Sequence, residues 1–345
     1  MTGAASAQRQ AEDRQEMSMI RLTRRHLIGS IAASTLAAPA LAQSGFPNRA
    51  MKIVVPFGAG GIADITTRIA GEKLTALTGQ VLTVINQPGP GGMAAARAAL
   101  GAESDGYTLA LLTNGTAVSA ALYTNLQFNP VEDFLPVSTL GLFDFVLVTA
   151  GNGPRKSLQE VLAYAKANPG KLNVGTILFG STQHLSATLF KSLTGLDFTH
   201  VPYRGTPDLM NGAMRGDVDI AIDSYASFGS NISAGQLMPL AVSGARRSAS
   251  LPNVPTVAES GIPGYDVTSW NAVFAPKGTP AEIVTLLNAK LREAVADPAV
   301  KTRFAELGIE AAGSTPAELG DKLKSDIAKW NAVIDKAGVQ RQTFR

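Results

Sequence analysis

Residues 51–70 read MKIVVPFGAGGIADITTRIA. The apolar run at 53–55 has no helical period and predicts a short buried strand, which Pro56 ends. Apolar side chains then recur near one face between 62 and 77, a spacing that predicts a helix. The stretch is therefore a strand, a glycine turn and a helix, and units of this kind in series build an α/β sheet.

The glycine turn between this strand and helix leaves backbone N–H groups open to a ligand. Gly58, Gly60 and Gly61 have no side chains, so a ligand can come close to the helix N-terminus, where the helix dipole favours an anion. We therefore predict a cradle for a small anion. Asp64 follows in the first helical turn, where it either contacts the ligand or caps exposed N–H groups.

The same turn also fits the dinucleotide fingerprint G-x-G-x-x-A, but the rest of that motif does not agree. A dinucleotide site needs an acidic side chain at the end of the second strand to hold a ribose. Asn86 and Gln87 occupy that place. No Lys-Ser or Lys-Thr pair follows the glycines, which excludes a P-loop. A small anion other than a nucleotide fits the turn better.

The first 42 residues have the three-part layout of an export signal. Arg24-Arg25 precede an Ala- and Ser-rich run at 27–38, and Ala40-Leu41-Ala42 is an A-x-A cleavage site. The run is too short and too polar to span a membrane, and the arginine pair indicates the twin-arginine route. Removal of 1–42 takes away five basic and three acidic residues and lowers the net charge from +3 to +1. We therefore expect no nucleic-acid partner.

The composition excludes several kinds of chemistry. The 345 residues, 45% of them apolar, are enough for two lobes, and the absence of cysteine excludes disulfides, thiolate metal sites and a cysteine nucleophile. Beyond the export signal the only histidines are His184 and His200, which lack metal-binding spacing, and no G-x-S-x-G elbow is present. The sequence therefore gives little support to nucleophilic or metal-assisted catalysis.

Strands and helices alternate along the rest of the chain. This order predicts a mainly parallel sheet whose ligands bind outside the carboxyl ends of the strands, so the loops at 57–64 and 113–116 should face one crevice. The predicted strands are 53–55, 81–85, 107–112, 143–148, 172–175, 199–201, 219–222, 238–242 and 267–275. The predicted helices are 62–77, 93–100, 157–168, 184–194, 207–215, 225–234, 280–296, 298–307 and 315–337.

The chain is predicted to form two domains. The glycine- and proline-rich break at 151–154 precedes a second set of alternating elements, and the extended segment at 267–275 is placed to cross back. We therefore assign 43–149 together with 271–345 to a discontinuous first domain and 150–270 to a continuous second domain.

A second turn of small polar residues opens a helix in the predicted second domain. Gly180, Ser181 and Thr182 either bind another anionic group with their hydroxyl and N–H groups or simply cap the helix. His184 is interpreted as a packed histidine. Arg204, after a later strand, either forks onto a carboxylate or is solvated like most loop arginines.

A series of short motifs follows in a fixed order along essentially the whole chain after the export signal. They are VPF at 55–57 with Gly60-Gly61 and Asp64, NQPG at 86–89, DGYT at 105–108, NPG at 168–170, GS at 180–181 with HL at 184–185, HVPYRG at 200–205, GDVD at 216–219, PNVPTVAE at 252–259 and APKGTP at 275–280. In this order they resemble the substrate-binding proteins of tripartite tricarboxylate transporters, also called Bug solute receptors.

The resemblance implies an α/β periplasmic binding protein of the Venus-flytrap type, with two domains, no catalysis and no cofactor. Its ligand would be a small carboxylate, held in the cleft mainly by backbone groups and ordered water. Its partners would be the membrane permease subunits of the transporter or a sensor kinase ectodomain, and we expect a monomer. An exported hydrolase or lyase that uses His184 with Asp64 or Asp223 is the alternative from another class.

Carried onto this sequence, the resemblance implies a set of ligand-binding residues. They are Phe57, Gly60, Gly61, Asp64, Gly180, Ser181, Thr182, His184, Tyr203, Arg204, Gly205 and Asp223. The chain departs from the common pattern at Leu178, where the family often has Gly, and at Gln183, where it often has a small hydroxyl residue. These two changes leave the identity of the ligand open.

Overall fold

The computed structural model describes residues 45–343, so the predicted export signal lies outside the described residues. From residue 47 onward the described chain forms one compact unit. Between residues 45 and 343, no helix combines the length and the apolar character that crossing a bilayer requires.

Ten strands and ten α-helices are present within the described residues. The strands are β1 (Met51–Val55), β2 (Leu82–Asn86), β3 (Thr108–Thr113), β4 (Phe134–Ala150), β5 (Leu172–Ile177), β6 (Phe198–Tyr203), β7 (Ile220–Ser224), β8 (Leu237–Val242), β9 (Thr268–Pro276) and β10 (Ile309–Ala311). The helices are α1 (Ile62–Thr78), α2 (Met93–Leu100), α3 (Asn114–Leu122), α4 (Leu158–Ala167), α5 (Thr182–Thr194), α6 (Thr206–Arg215), α7 (Tyr225–Ser233), α8 (Ala281–Ala296), α9 (Pro298–Glu306) and α10 (Pro316–Lys336).

The predicted loop at 113–116 is instead the N-terminus of α3. Thr113 Oγ1 accepts a hydrogen bond from Gly115 N–H at 3.1 Å, and the Thr113 N–H donates to Thr116 Oγ1 at 3.1 Å. This reciprocal pair is a capping box, which starts a helix. The sequence pattern concealed α3 because nearly all its residues are buried, so it has no polar face to produce a helical period.

Two sheets share the long strand β4. In the first sheet β2, β1 and β3 are parallel, and β9 runs antiparallel between β3 and β4. In the second sheet β6, β5 and β7 are parallel, and β7 and β8 pair antiparallel with β4. The partner changes within β4, since Asp144 is opposite Thr268 of β9 and Phe145 is opposite Ser224 of β7.

The predicted two-lobed α/β fold is confirmed, and both of its sheets are mixed because β4 and β9 run against their neighbours. The amino-terminal half of β4, which the sequence pattern did not predict as a strand, pairs with β9, and β10 pairs with the same stretch. β10 has only three residues and is too short to show a period. Most other predicted elements agree with the structure within one to three residues.

Buried apolar side chains hold the helices against both sheets. Ile53, Leu111 and Leu74 are almost fully buried in the first lobe, and Val148 and Leu209 belong to the core of the second. Burial of one such side chain contributes about 1.5–3 kcal/mol. Because α1, α3, α5, α6 and α7 each follow a strand directly, this packing fixes their N-termini at the carboxyl ends of the strands.

Candidate ligand-binding cleft

A cleft with about 500 Å³ of space not filled by protein atoms lies where the strand ends of the two sheets meet. The lining from the first sheet and its helices is Phe57, Gly58, Gly61, Ile62, Ala63, Thr113, Ser269 and Asn271. The lining from the second sheet is Ile177, Leu178, Thr182, Gln183, Arg204, Gly205, Thr206 and Asp223, and Phe143 and Phe145 come from β4.

The N-terminus of α1 opens on this cleft without a side-chain cap. Gly61 is the N-cap residue, in an extended conformation, and no side chain accepts a hydrogen bond from the first turn. Gly60 before it has φ of 81°, a left-handed conformation that favours glycine. The first-turn N–H groups and the helix dipole therefore favour negative charge at this end of α1.

Asp64 is buried and holds the glycine turn together. Its Oδ2 accepts the Gly60 N–H at 3.1 Å, and its Oδ1 accepts from Asn86 Nδ2 at 3.0 Å and pairs with Arg68 at 2.8 Å. Burial alone would raise the pKa of Asp64, but the bonds from Arg68, Gly60 and Asn86 outweigh it and lower the pKa. Asn86 also donates to the Phe57 carbonyl oxygen at 3.0 Å. Asp64 is not among the residues that line the cleft.

The N-terminus of α6 opens on the cleft from the second lobe. Its N-cap residue is Gly205, with extended backbone, and again no side chain caps the first turn. Thr206 follows, and its Oγ1 donates to Asp223 Oδ2 at 2.8 Å. Two uncapped helix N-termini, one from each lobe, thus border the same cleft.

The turn before α5 is mainly engaged with protein groups. Ser181 Oγ accepts the His184 N–H at 3.2 Å and donates to the Ile177 carbonyl oxygen at 3.2 Å, so it caps the helix. The Gly180 carbonyl oxygen accepts from Ser119 Oγ of α3 at 3.2 Å, which ties this turn to the first lobe. Only Thr182 of this turn lines the main cleft, whereas Gly180 and Ser181 line a narrower crevice beside it.

His184 is packed among other rings away from the main cleft. Its ring lies 4.0 Å from that of Phe179 and 4.8 Å from that of His200, measured between centroids. Burial, helped by the neighbouring His200, lowers the pKa of His184 to about 3, so the ring is neutral near pH 7. Both histidines line a separate surface pocket. Tyr203 also stands outside the main cleft lining.

Asp223 lies at the base of the second lobe's side of the cleft and is fully buried. Its Oδ1 accepts from Gln183 Nε2 at 3.1 Å and from the Ser224 N–H at 2.7 Å, and its Oδ2 accepts from Thr206. Burial raises the pKa of Asp223 in spite of these bonds. Arg204 lines the same side and is exposed.

Both departures from the family pattern lie in the cleft. Leu178 contributes an apolar surface, and Gln183 fills space that a small hydroxyl residue would leave open while it binds Asp223. The sequence missed other lining residues, of which Thr113, Ser269 and Asn271 are polar and buried. Ser269 and Asn271 could have been recognised from the sequence, because they are polar residues inside an apolar strand and a buried polar group needs a hydrogen-bond partner.

Across residues 45–343 there is no group of three or more His, Asp and Glu side chains that could hold a metal ion. The cleft instead combines backbone N–H groups, hydroxyls, amides and a few apolar side chains. Two α/β lobes that share a crossing strand, with such a cleft at the strand ends, define a periplasmic solute-binding protein.

The comparison with protein families gives the particular class of receptor. Residues 66–339 match the model of the tripartite tricarboxylate transporter family receptor. The chain therefore belongs to this family of periplasmic solute receptors, and the resemblance seen in the sequence motifs is confirmed.

Individual relatives extend over almost the whole chain. BugT of Bordetella pertussis is 34% identical over 312 residues, which cover 90% of this chain and 95% of BugT. An R. palustris protein solved with adipate is 33% identical, has a TM-score of 0.82, and covers 87% of this chain and 100% of its own. MatC from Rhodopseudomonas palustris with bound malate is 32% identical and has a TM-score of 0.79. The match covers 84% of this chain and 100% of the MatC chain.

Proposed function

We propose that this protein closes on a small carboxylate between its two lobes and delivers it to the permease subunits of a tripartite tricarboxylate-type transporter. The observation that carries the proposal is the pair of uncapped helix N-termini, at Gly61 and Gly205, on opposite sides of one cleft. The dipole of each helix favours an anion at its N-terminus, although Pro207 has no N–H and Asp208 adds a negative charge in the first turn of α6. One ligand in the cleft would meet both N-termini. Relatives one-third identical to this chain hold adipate and malate, which supports a carboxylate.

The proposed receptor has the domain organisation expected from the sequence, with 43–149 and 271–345 in one domain and 150–270 in the other. The change of strand partner between Asp144 and Phe145 supports a division within β4. A bend at this crossing would open and close the cleft, as in other hinge proteins. Residues 1–42 would direct export to the periplasm by the twin-arginine route.

Among the ligand-binding residues expected from the sequence, six line the cleft and are proposed to contact the ligand. They are Phe57, Gly61, Thr182, Arg204, Gly205 and Asp223. The other six would not contact the ligand directly but would shape, or pack against, the turns before α1 and α5. They are Gly60, Asp64, Gly180, Ser181, His184 and Tyr203.

The protein is proposed to bind its ligand without converting it. His184 is neutral and packed against aromatic rings, and Asp223 accepts three hydrogen bonds from protein groups. Neither group is therefore presented to a ligand as a free acid or base.

The test is calorimetry and thermal unfolding of the protein against a panel of carboxylates: acetate, lactate, succinate, malate, glutarate, adipate and citrate. We expect one-to-one binding of at least one of them and stabilisation of about 2.7 kcal/mol at a concentration a hundred times its dissociation constant. The bound compound should be recovered unchanged. If none of the panel gives heat or stabilisation, the carboxylate proposal fails. Pull-down with permease subunits and with a sensor kinase ectodomain, with and without ligand, then identifies whether the receptor acts in transport or in signalling.

A further inference from the structure

Asn271 occupies a fixed position in the middle of the first sheet. Its backbone lies in β9, opposite Thr113 of β3 on one side and Gly141 of β4 on the other. The residue is 1% exposed and lines the cleft. Its side-chain amide therefore has little freedom, and the direction in which each of its polar atoms points can be assigned.

The hydrogen bonds of α1 orient this amide. Thr66 Oγ1 donates its only hydrogen to the Ile62 carbonyl oxygen at 2.6 Å. Thr66 Oγ1 can therefore only accept from Asn271, at 3.1 Å, and the Ile62 carbonyl oxygen, at 3.4 Å, is an acceptor by nature. Both partners require a donor, so the amide nitrogen of Asn271 must face α1 and its oxygen must point away from α1.

The oxygen that is turned away from α1 has no partner. Oδ1 of Asn271 is buried and accepts no hydrogen bond from the residues that the structure describes. A buried amide oxygen without a donor is costly, and such groups in native proteins usually serve a ligand or bound water. Asn271 is one of the residues that line the cleft, so a group that enters the cleft is placed to satisfy Oδ1.

We propose that Asn271 Oδ1 accepts a hydrogen bond from a hydroxyl group of the ligand, so that the receptor selects hydroxycarboxylates over the matching unsubstituted acids. This inference rests on the proposed carboxylate binding. The same amide holds Ile62 in the first turn of α1, beside the uncapped N–H groups, so the selected hydroxyl lies near the ligand carboxylate. An ammonium group would also donate, but the positive end of the α1 dipole disfavours a cation there.

The experiment measures dissociation constants for three matched pairs that differ by one hydroxyl: succinate and malate, glutarate and 2-hydroxyglutarate, propionate and lactate. For the pairs that bind, the wild-type protein should hold the hydroxy acid about tenfold or more tightly. Asn271→Leu, close in size and without an acceptor, should reduce this ratio to below about threefold, mainly through weaker binding of the hydroxy acid.

Asn288→Leu is the matched control. Asn288 is also a buried asparagine whose amide nitrogen bonds two carbonyl oxygens, those of Val137 and Ser314, but it lies outside the cleft lining. This variant should keep the wild-type ratio even if it loses stability. Asn271→Ala serves as the second variant where the leucine protein does not fold.

Equal affinity for both members of each pair in the wild type would overturn the inference, because Oδ1 would then be satisfied by water, and carboxylate binding itself would stand. An unchanged ratio in the Asn271 variants would also overturn it. Failure of every carboxylate to bind would refute the proposed function and this inference together.

Discussion

Gly61, the N-cap residue of α1, lies so close to Thr206 of α6 that a Cβ atom added to Gly61 would be 3.3 Å from Thr206 Oγ1. This separation is tighter than most Cβ contacts in proteins, and it joins the two helix N-termini that border the cleft. Thr206 cannot easily move aside, because its hydroxyl donates to Asp223 at 2.8 Å. A side chain at residue 61 would therefore crowd Thr206 across the cleft.

Gly61→Val is expected to hinder closure. The added methyl groups meet Thr206, and overpacking of a fitted contact costs about 1–3 kcal/mol, so the affinity for a ligand should fall about tenfold. The backbone at Gly61 is extended and accessible to valine, but valine is a much poorer N-cap residue than glycine, so the free energy of unfolding without ligand should also fall by about 1 kcal/mol. Gly320→Ala, where the nearest atom is Pro136 Cγ at 3.6 Å and outside the cleft, is the control. Calorimetry with unchanged affinity for Gly61→Val would contradict the role of this contact.

Asp64→Ala is expected to destabilise the protein more than loss of a surface charge would. It leaves the Gly60 N–H without its acceptor and Asn86 Nδ2 with the Phe57 carbonyl oxygen as its remaining acceptor, at a cost of about 1–3 kcal/mol in the free energy of unfolding. Ligand affinity should fall as well, because the glycine turn loses its anchor. Arg68→Ala, at a side chain that is 48% exposed, should cost less. Urea denaturation of both variants measures the difference, and equal small losses would show that Asp64 does not organise the turn.

The pH dependence of the Asp64 contribution has a defined sign. The pKa of Asp64 in the folded protein is below its ordinary value of 3.8, so the folded state favours the charged form. The stabilisation is therefore present at neutral pH and is lost as the pH falls below 3.8. The difference between wild type and Asp64→Ala should narrow in this acid range.

Asp144, at the crossing between the two sheets, is expected to show the opposite pH dependence. Burial, together with the charges of Asp266 and Glu310, raises the pKa of Asp144 to about 6 in spite of Arg246. The folded state thus binds the proton more tightly, and stability falls as the pH rises from about 4 to 6. Asp144→Asn should raise the free energy of unfolding at pH 7.5 by about 1–3 kcal/mol and change it little at pH 4. The control is Asp321→Asn, at an exposed residue of α10.

A gain from Asp144→Asn that is the same at pH 4 and pH 7.5 would contradict this account, because ionisation would then not be the cause. Thermal unfolding across this pH range makes the measurement. The same variant also tests whether the charge at the crossing affects closure, since ligand affinity can be measured at each pH.

Ser181 and Thr182 are neighbours with different expected roles. Ser181→Ala removes the N-cap of α5 and should lower the free energy of unfolding by about 1 kcal/mol, with ligand affinity within about twofold of wild type. Thr182→Val keeps the shape of a side chain that lines the cleft but removes its hydroxyl, so it should weaken binding about fivefold. Calorimetry and urea denaturation of both variants separate the roles, and a reversed pattern would show that Ser181 contacts the ligand.

The order of strands and helices could be predicted from the sequence because most elements have one buried and one polar face, or a clear turn at each end. α3 could not be predicted, because it is buried on nearly every side. The amino-terminal half of β4 could not be predicted either, because it forms a strand through its pairing with β9. The glycine turn at 58–61 was recognisable because an uncapped helix start depends on local backbone, which local sequence dictates.

The sequence by itself determined the two-lobed α/β fold and the family, because these follow from local periodicity and from short motifs in a fixed order along the chain. It also predicted an anion-binding turn after β1. Only the tertiary structure decided which predicted residues line the cleft. In the structure the N-terminus of α6 lies across the cleft from that of α1, and Asp64 and Ser181 make hydrogen bonds within their own lobes. Asn271 lies in the cleft beside Ile62, although the two are more than 200 residues apart in the chain. These placements depend on the point where β4 passes from one sheet to the other and on its pairing with β9, a long-range pairing that no local pattern records.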